Sequence, residues 1–150
     1  MGGFILGNFM ARKKQNKYIP KPFESDGSSS DTSANIYISM LTSESWQALS
    51  KNAQVLYLYC KAQYYAEKQK PKPTIITLSE QQQKQTFTMN KSKWQSLYKI
   101  YKSDNGQFNK DMQMLIDYGF VEVLQSGQNT RSKSIYLLSD KWNKKSPSLG

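Results

Sequence analysis

The stretch MLIDYGFVEV, Met114 to Val123, changes its hydrophobic period at a single residue. Up to Tyr118 the apolar residues recur at helical spacing, whereas Phe120, Val121 and Val123 form an apolar, β-rich run broken by Glu122. A chain that ends a helix on glycine and enters a strand at once has to turn sharply, and Gly119 allows this because the left-handed backbone carries no Cβ penalty there. The polar run QSGQNTRSK follows, then Ser134 to Leu138 as a returning strand, so a β-hairpin with a long basic tip is expected over about 120–138.

Upstream of this switch the spacing predicts a helix over Gln107 to Tyr118, with Phe108, Met112, Leu115 and Ile116 facing inward. A polar turn containing Gly106 precedes it. Before the turn, Asn90 is expected to cap a helix carrying Trp94, Leu97, Tyr98 and Tyr101 on its buried side, and Phe87 to Met89 to form a brief strand. The longest helix is expected from about Lys51 to Lys70, capped by Ser50 and buried along Val55, Leu56, Tyr59, Cys60 and Gln63/Tyr64. A short helix before it takes Thr42 or Ser43 as its cap and Glu44 in its first turn. Pro71 and Pro73 end the long helix; Thr74 to Leu78 fit a short strand, and Gln81 to Gln85 a loop or frayed helix. Trp142 is expected to fold back onto the body.

Two flanks complete the organisation. Residues 1–34 show no sustained periodicity and join a basic cluster (Arg12, Lys13, Lys14, Lys17) to prolines and a Ser/Gly/Asp stretch, which suits an extended arm, solvated or lying along phosphates. The folded domain is expected over 35–142, with 143–150 a frayed tail. Met10, just before the basic run, is a candidate start. The apolar MGGFILGNFM lacks a preceding positive charge and a cleavage site, and Leu6 breaks the myristoylation pattern. No apolar run approaches the ~20 residues that span a bilayer, so no membrane partner and a cytoplasmic location are expected.

The chain's 150 residues suit one domain, and a net charge of +10 favours a polyanionic partner, because Lys and Arg release counterions from phosphates. The excess is spread along the chain, yet in the hairpin both cations of the tip lie together with no acid beside them. Histidine is absent, which removes Ser/His and Cys/His catalysis and most zinc sites. The lone Cys60 sits among Leu56, Tyr57, Leu58 and Tyr59 as a buried, inert thiol would. There is no phosphate-binding loop of the GxxxxGK[ST] type, and Asp111 and Asp117 are not cofacial. A non-enzymatic protein without metal or cofactor is expected.

Helix, polar turn, glycine-ended helix and hairpin follow one another as in a winged helix-turn-helix, a mainly α fold with a small β-wing. The second helix of that motif enters the major groove by its N-terminal half. Here Asn105, Gln107, Asn109, Lys110 and Gln113 lie off the apolar stripe; Asn and Gln suit adenine, and Lys110 a guanine or a phosphate. Lys91 and Lys93 join them as DNA contacts from the preceding helix. The wing tip offers Gln125, Ser126, Gln128, Asn129, Thr130, Arg131, Ser132 and Lys133, with Arg131 and Lys133 suited to phosphates or a narrow minor groove. Asp111 is set aside, since an acid near DNA repels unless it accepts from cytosine or pairs with Lys93 or Lys110.

The runs KYIPKPFES, SSDTSANIY, LYLYCKAQYY, FTMNKSKW, GQFNKDMQMLIDYGFVEV and TRSKSIYLLSDKW resemble a family of small winged-helix proteins. These are encoded on conjugative plasmids, integrative elements and phages of Gram-positive bacteria. The likeness runs from Lys17 to Trp142 and is most specific in the last third, because a generic winged helix would not share TRSKSIY and SDKW. It implies an accessory protein at an origin of transfer beside a relaxase, or a plasmid replication or control protein. Double-stranded DNA is the expected partner, with a relaxase or replication protein and a homodimer as further partners. Two other readings stay open: a winged helix that docks a relaxase, replication or secretion component instead of DNA, and a transcriptional regulator of the element.

Overall fold

The computed structural model describes residues 18–68, 70, 78–125 and 134–143. It divides into two units, one ending at Asp31 and the other beginning at Thr32. In the first, Glu24 closes a local turn: its Oε1 accepts from the Tyr18 hydroxyl at 2.6 Å and from the Lys21 N–H at 2.7 Å. Asp26 does the same two residues on, taking the Ser28 N–H at 3.0 Å.

The second unit is an α+β fold. Its elements are α1 (Ile38–Leu41), α2 (Glu44–Gln47), α3 (Lys51–Glu67), α4 (Glu80–Gln83), β1 (Thr86–Phe87), a π-helix (Ser92–Leu97), α5 (Gln107–Asp117), β2 (Val121–Gln125) and β3 (Ile135–Leu138). The strands form one antiparallel sheet in the order β1-β3-β2, with Phe87 opposite Tyr136 and Val121 opposite Leu138. A register shift between Val123 and Gln125 bends β2 where the hairpin leaves the sheet. Sequence reading places a strand at residues 87–89; the strand covers only Thr86–Phe87, and it is what makes the sheet three-stranded. Of the strand expected at Thr74 to Leu78, residues 74–77 lie outside the described residues.

Side-chain caps set the helix starts. Ser43 Oγ accepts from Trp46 N–H and Ser50 Oγ from Ala53 N–H, each at 3.1 Å, as expected of hydroxyls at N-caps. Of loop or frayed helix, the glutamine-rich run takes the helical alternative: Ser79 and Gln82 exchange side chain–backbone bonds at 3.1 and 3.0 Å, a capping box.

The aromatic core sits where α3, α5 and the sheet meet. Trp46, Tyr57 and Phe120 pack edge-to-face with centroids 5.4–5.8 Å apart, and Trp142 stacks flat on Phe120 at 5.8 Å. Trp142 thus folds back as its position after the last strand suggests. The buried stripe of α3 runs through Ala53, Leu56, Tyr57, Cys60 and Gln63. Leu56, Cys60 and Gln63 are buried as expected, whereas Val55 faces outward at 43% exposure and Ala53 and Tyr57 join the stripe in its place. Small Ala53, easily passed over in an apolar-spacing count, is fully buried. Burial pushes the Cys60 thiol far above its usual range, consistent with an inert core residue.

The segment after Asn90 departs most from expectation. Asn90 Oδ1 does take the Lys93 N–H, at 3.2 Å, but the helix winds with i→i+5 geometry and ends at Leu97. Its wider turn sends the Tyr98 N–H to Lys93 O at 2.8 Å and rotates Leu97 out to 61% exposure. Tyr101, expected on the same helix, follows it in the connection and packs edge-on against Trp94 at 5.5 Å. Among the described residues no helix is long and apolar enough to cross a membrane.

Candidate nucleic-acid interface

Gly106, left-handed at φ 90°, opens α5, and Asn105 Oδ1 accepts the otherwise orphaned Gln107 N–H at 3.1 Å. From there the helix divides by face. Met112 and Leu115 are buried, and Phe108 stacks on Trp94 at 5.3 Å. Asn109, Lys110 and Gln113 are exposed, on the side sequence spacing assigned to them, and Asn105 is exposed just before the first turn. Gly119 ends α5 at φ 88°, and the Phe120 N–H returns to Leu115 O at 2.9 Å. A further constraint acts there: a Cβ on Gly119 would lie 2.6 Å from Trp142 N and 2.7 Å from Lys141 C. Backbone from beyond the hairpin crosses this glycine, which local spacing could not show.

Asp111 resolves differently from either sequence option. It is buried, and its carboxylate accepts from the Tyr101 hydroxyl at 2.5 Å and from Gln107 Nε2 at 2.8 Å. It therefore meets neither a base nor Lys93 nor Lys110; it fastens the first turn of α5 to the connection before it. Burial, then the bond to Asp111, pushes the Tyr101 hydroxyl pKa far up, so it stays a donor at every physiological pH. Gln107 is corrected with it: half-buried and committed to Asp111, its amide serves the helix. Gln113 remains exposed, its amide bonded one turn along to Asp117 at 2.8 Å, a surface contact that a better acceptor can displace.

Lys93 is corrected as well. Its ammonium donates to Thr88 Oγ1 at 2.8 Å and lies 3.6 Å from Glu67. Glu67 Oε2 also accepts from Thr88 N–H at 3.0 Å, from Thr88 Oγ1 at 2.8 Å and from Gln63, whose own carbonyl takes the Tyr98 hydroxyl at 2.7 Å. Burial disfavours the Glu67 anion, yet these donors and Lys93 together outweigh it and hold its pKa below the usual carboxylate value. Lys93 belongs to this part-buried network tying the π-helix to α3. Lys91 is exposed and pairs with equally exposed Asp104 at 3.6 Å, a bond worth at most about 1 kcal/mol and readily exchanged for a phosphate.

At the hairpin, β2 and β3 are in place, and Glu122 pairs with Lys141 at 3.7 Å. The tip residues Ser126, Gln128, Asn129, Thr130, Arg131, Ser132 and Lys133, and the Gln125 side chain, lie outside the described residues. The structure adds cations that the sequence reading missed. Lys99 and Lys102, in the connection between the π-helix and α5, are exposed like Lys110 and have no ion pair among the described residues. Only Lys102 carried a signal, standing in the polar turn before α5; Lys99 fell within the helix expected to reach Tyr101.

Comparison of the chain with protein-family models, with curated proteins and with solved structures finds no match.

Proposed function

We propose that this chain is a winged helix-turn-helix protein that binds duplex DNA sequence-specifically and without catalysis. One observation carries the reading: α5 buries Met112 and Leu115 while presenting Asn109, Lys110 and Gln113 to solvent, and it leads straight into a hairpin whose sheet runs β1-β3-β2. The π-helix and α5 are then the paired helices, α5 enters the major groove, and the hairpin is the wing. Asn109 and Gln113 suit adenine edges, Lys110 a guanine or phosphate, and Asn105 and Lys91 the flanking backbone. Arg131 and Lys133 take phosphates or the minor groove, with Gln128, Asn129 and Thr130 beside them.

A role in conjugative transfer or replication of a mobile element rests on the family resemblance of the last third, and regulation of the element's transcription uses the same surface. A relaxase or replication protein is the proposed protein partner, and a homodimer would pair with a two-fold symmetric site. A second reading, in which the aromatic-rich α3 docks such a protein and DNA is not bound, draws on Val55 and Leu58, exposed one turn apart on that helix.

The test is a footprint on the element's intergenic DNA, with affinity titrated at two salt concentrations. Log affinity should fall by roughly 0.9 per log salt for each phosphate neutralised. Asn109→Ala or Lys110→Ala should cost about 1–3 kcal/mol and relax base preference at one or two positions. Protection no better than on random DNA, with a host protein captured instead, would refute DNA reading and favour docking.

A further inference from the structure

Four described residues have left-handed backbone, and three of them are glycines: Gly27, Gly106 and Gly119, at φ 86°, 90° and 88°. The fourth is Lys99, at φ 56°. It closes the π-helix, where the Tyr98 N–H reaches Lys93 O and the Ile100 N–H reaches Trp94 O, both at 2.8 Å. Glycine is the low-cost residue at such a helix end, with asparagine next, because a Cβ is crowded by the neighbouring carbonyl. Both ends of α5 use glycine for the same need. A lysine in this conformation is strained backbone retained beside a reading helix, and strain of this kind clusters where a side chain has external work.

The two backbone bonds satisfy the main chain of the turn and would do so for any residue at this position, so they give no reason for a lysine. The Lys99 side chain is exposed, with no ion pair or ring contact among the described residues. Lys102 and Lys110 share that state, whereas Lys91 and Lys93 are paired with Asp104 and Glu67. The cations left without acid partners between the π-helix and α5 are therefore those of the connection and of the exposed α5 face.

We infer that Lys99 is a DNA-backbone contact, held by its left-handed turn so that its ammonium meets a phosphate beside the segment that α5 reads. The inference rests on the duplex-binding reading. It assigns Lys99 a sequence-independent role, orienting and anchoring the protein, and leaves base choice to Asn109, Lys110 and Gln113.

The test uses the full chain, a labelled random-sequence DNA duplex, and thermal unfolding of the same samples. Lys99→Gly should lower duplex affinity about eight-fold at ~0.1 M salt and make the log–log salt slope shallower by about 0.9. Its thermal midpoint should hold or rise by about 2 °C, because the left-handed Cβ is gone. Lys99→Arg should restore affinity, and Lys99→Asn should behave as Lys99→Gly. Unchanged affinity in Lys99→Gly, or affinity and midpoint falling together, overturns the assignment. If Lys110→Ala weakens binding and Lys99→Gly does not, the phosphate role fails while duplex binding stands. A wild-type chain that holds the duplex no better than a charge-matched control protein removes both.

Discussion

Replacing Gly119 by alanine separates two costs that usually arrive together. The first is conformational: a Cβ at φ 88° is crowded by its own backbone, and the ordering entropy that alanine saves offsets part of this, leaving about 1 kcal/mol. The second is tertiary. The new carbon would sit 2.6 Å from Trp142 N and 2.7 Å from Lys141 C, both backbone atoms that cannot swing aside. The Lys141–Trp142 segment must withdraw, which breaks the 2.9 Å bond from Trp142 N–H to Gly119 O and unseats Trp142 from Phe120. A hydrogen bond and an aromatic stack of this kind contribute about 1 kcal/mol each. Gly119→Ala should thus destabilise by about 3 kcal/mol, well above the ~1 kcal/mol of conformation alone. Gly106→Ala supplies the control: it has a similar φ, 90°, and no atom within 4 Å of the added carbon. Urea unfolding followed by tryptophan fluorescence measures both, with a shared m-value confirming that only stability changed. Equal losses in the two variants would refute the claim that the crossing at Gly119 locks the end of the sheet.

Two further tests address the buried networks. Glu67 has its folded-state pKa below the ordinary 4.5, so its contribution is complete above that value and is lost as pH falls through the lowered one. Stabilities of wild type and Glu67→Gln should differ most above about pH 4.5 and converge in acid; parallel profiles would discard the network's electrostatic part. Tyr101→Phe removes the hydroxyl that binds the buried Asp111 carboxylate and should cost about 1.5–3 kcal/mol. In an Asp111→Asn background the same change should cost clearly less, and simple additivity would show that the two residues are not coupled.

The elements around the site were legible because local chemistry fixes them. Thr42 or Ser43, and Ser50, announced helix starts, Gly119 the end of α5, and the period of Phe108, Met112 and Leu115 the orientation of that helix, leaving Asn109, Lys110 and Gln113 outside. Sequence spacing failed where a residue's fate depends on something distant in the chain. The stripe of α3 was misphased because Ala53 and Tyr57 are buried where spacing had placed Val55 inside, and a small alanine gives an apolar count little to register. A π-helical turn, invisible to a count of threes and fours, expelled Leu97 and put Tyr101 in the connection. Lys93 and Gln107 looked like free polar groups until folding brought Glu67 and Thr88 to one and buried Asp111 beside the other. Sequence determined the long helix, the turn before α5, α5 itself and the two strands that follow it, since capping, periodicity and left-handed glycine act within a few residues. Tertiary structure alone decided which polar side chains remain available to a partner, because a buried charge recruits whatever donors the fold sets around it, from any distance along the chain.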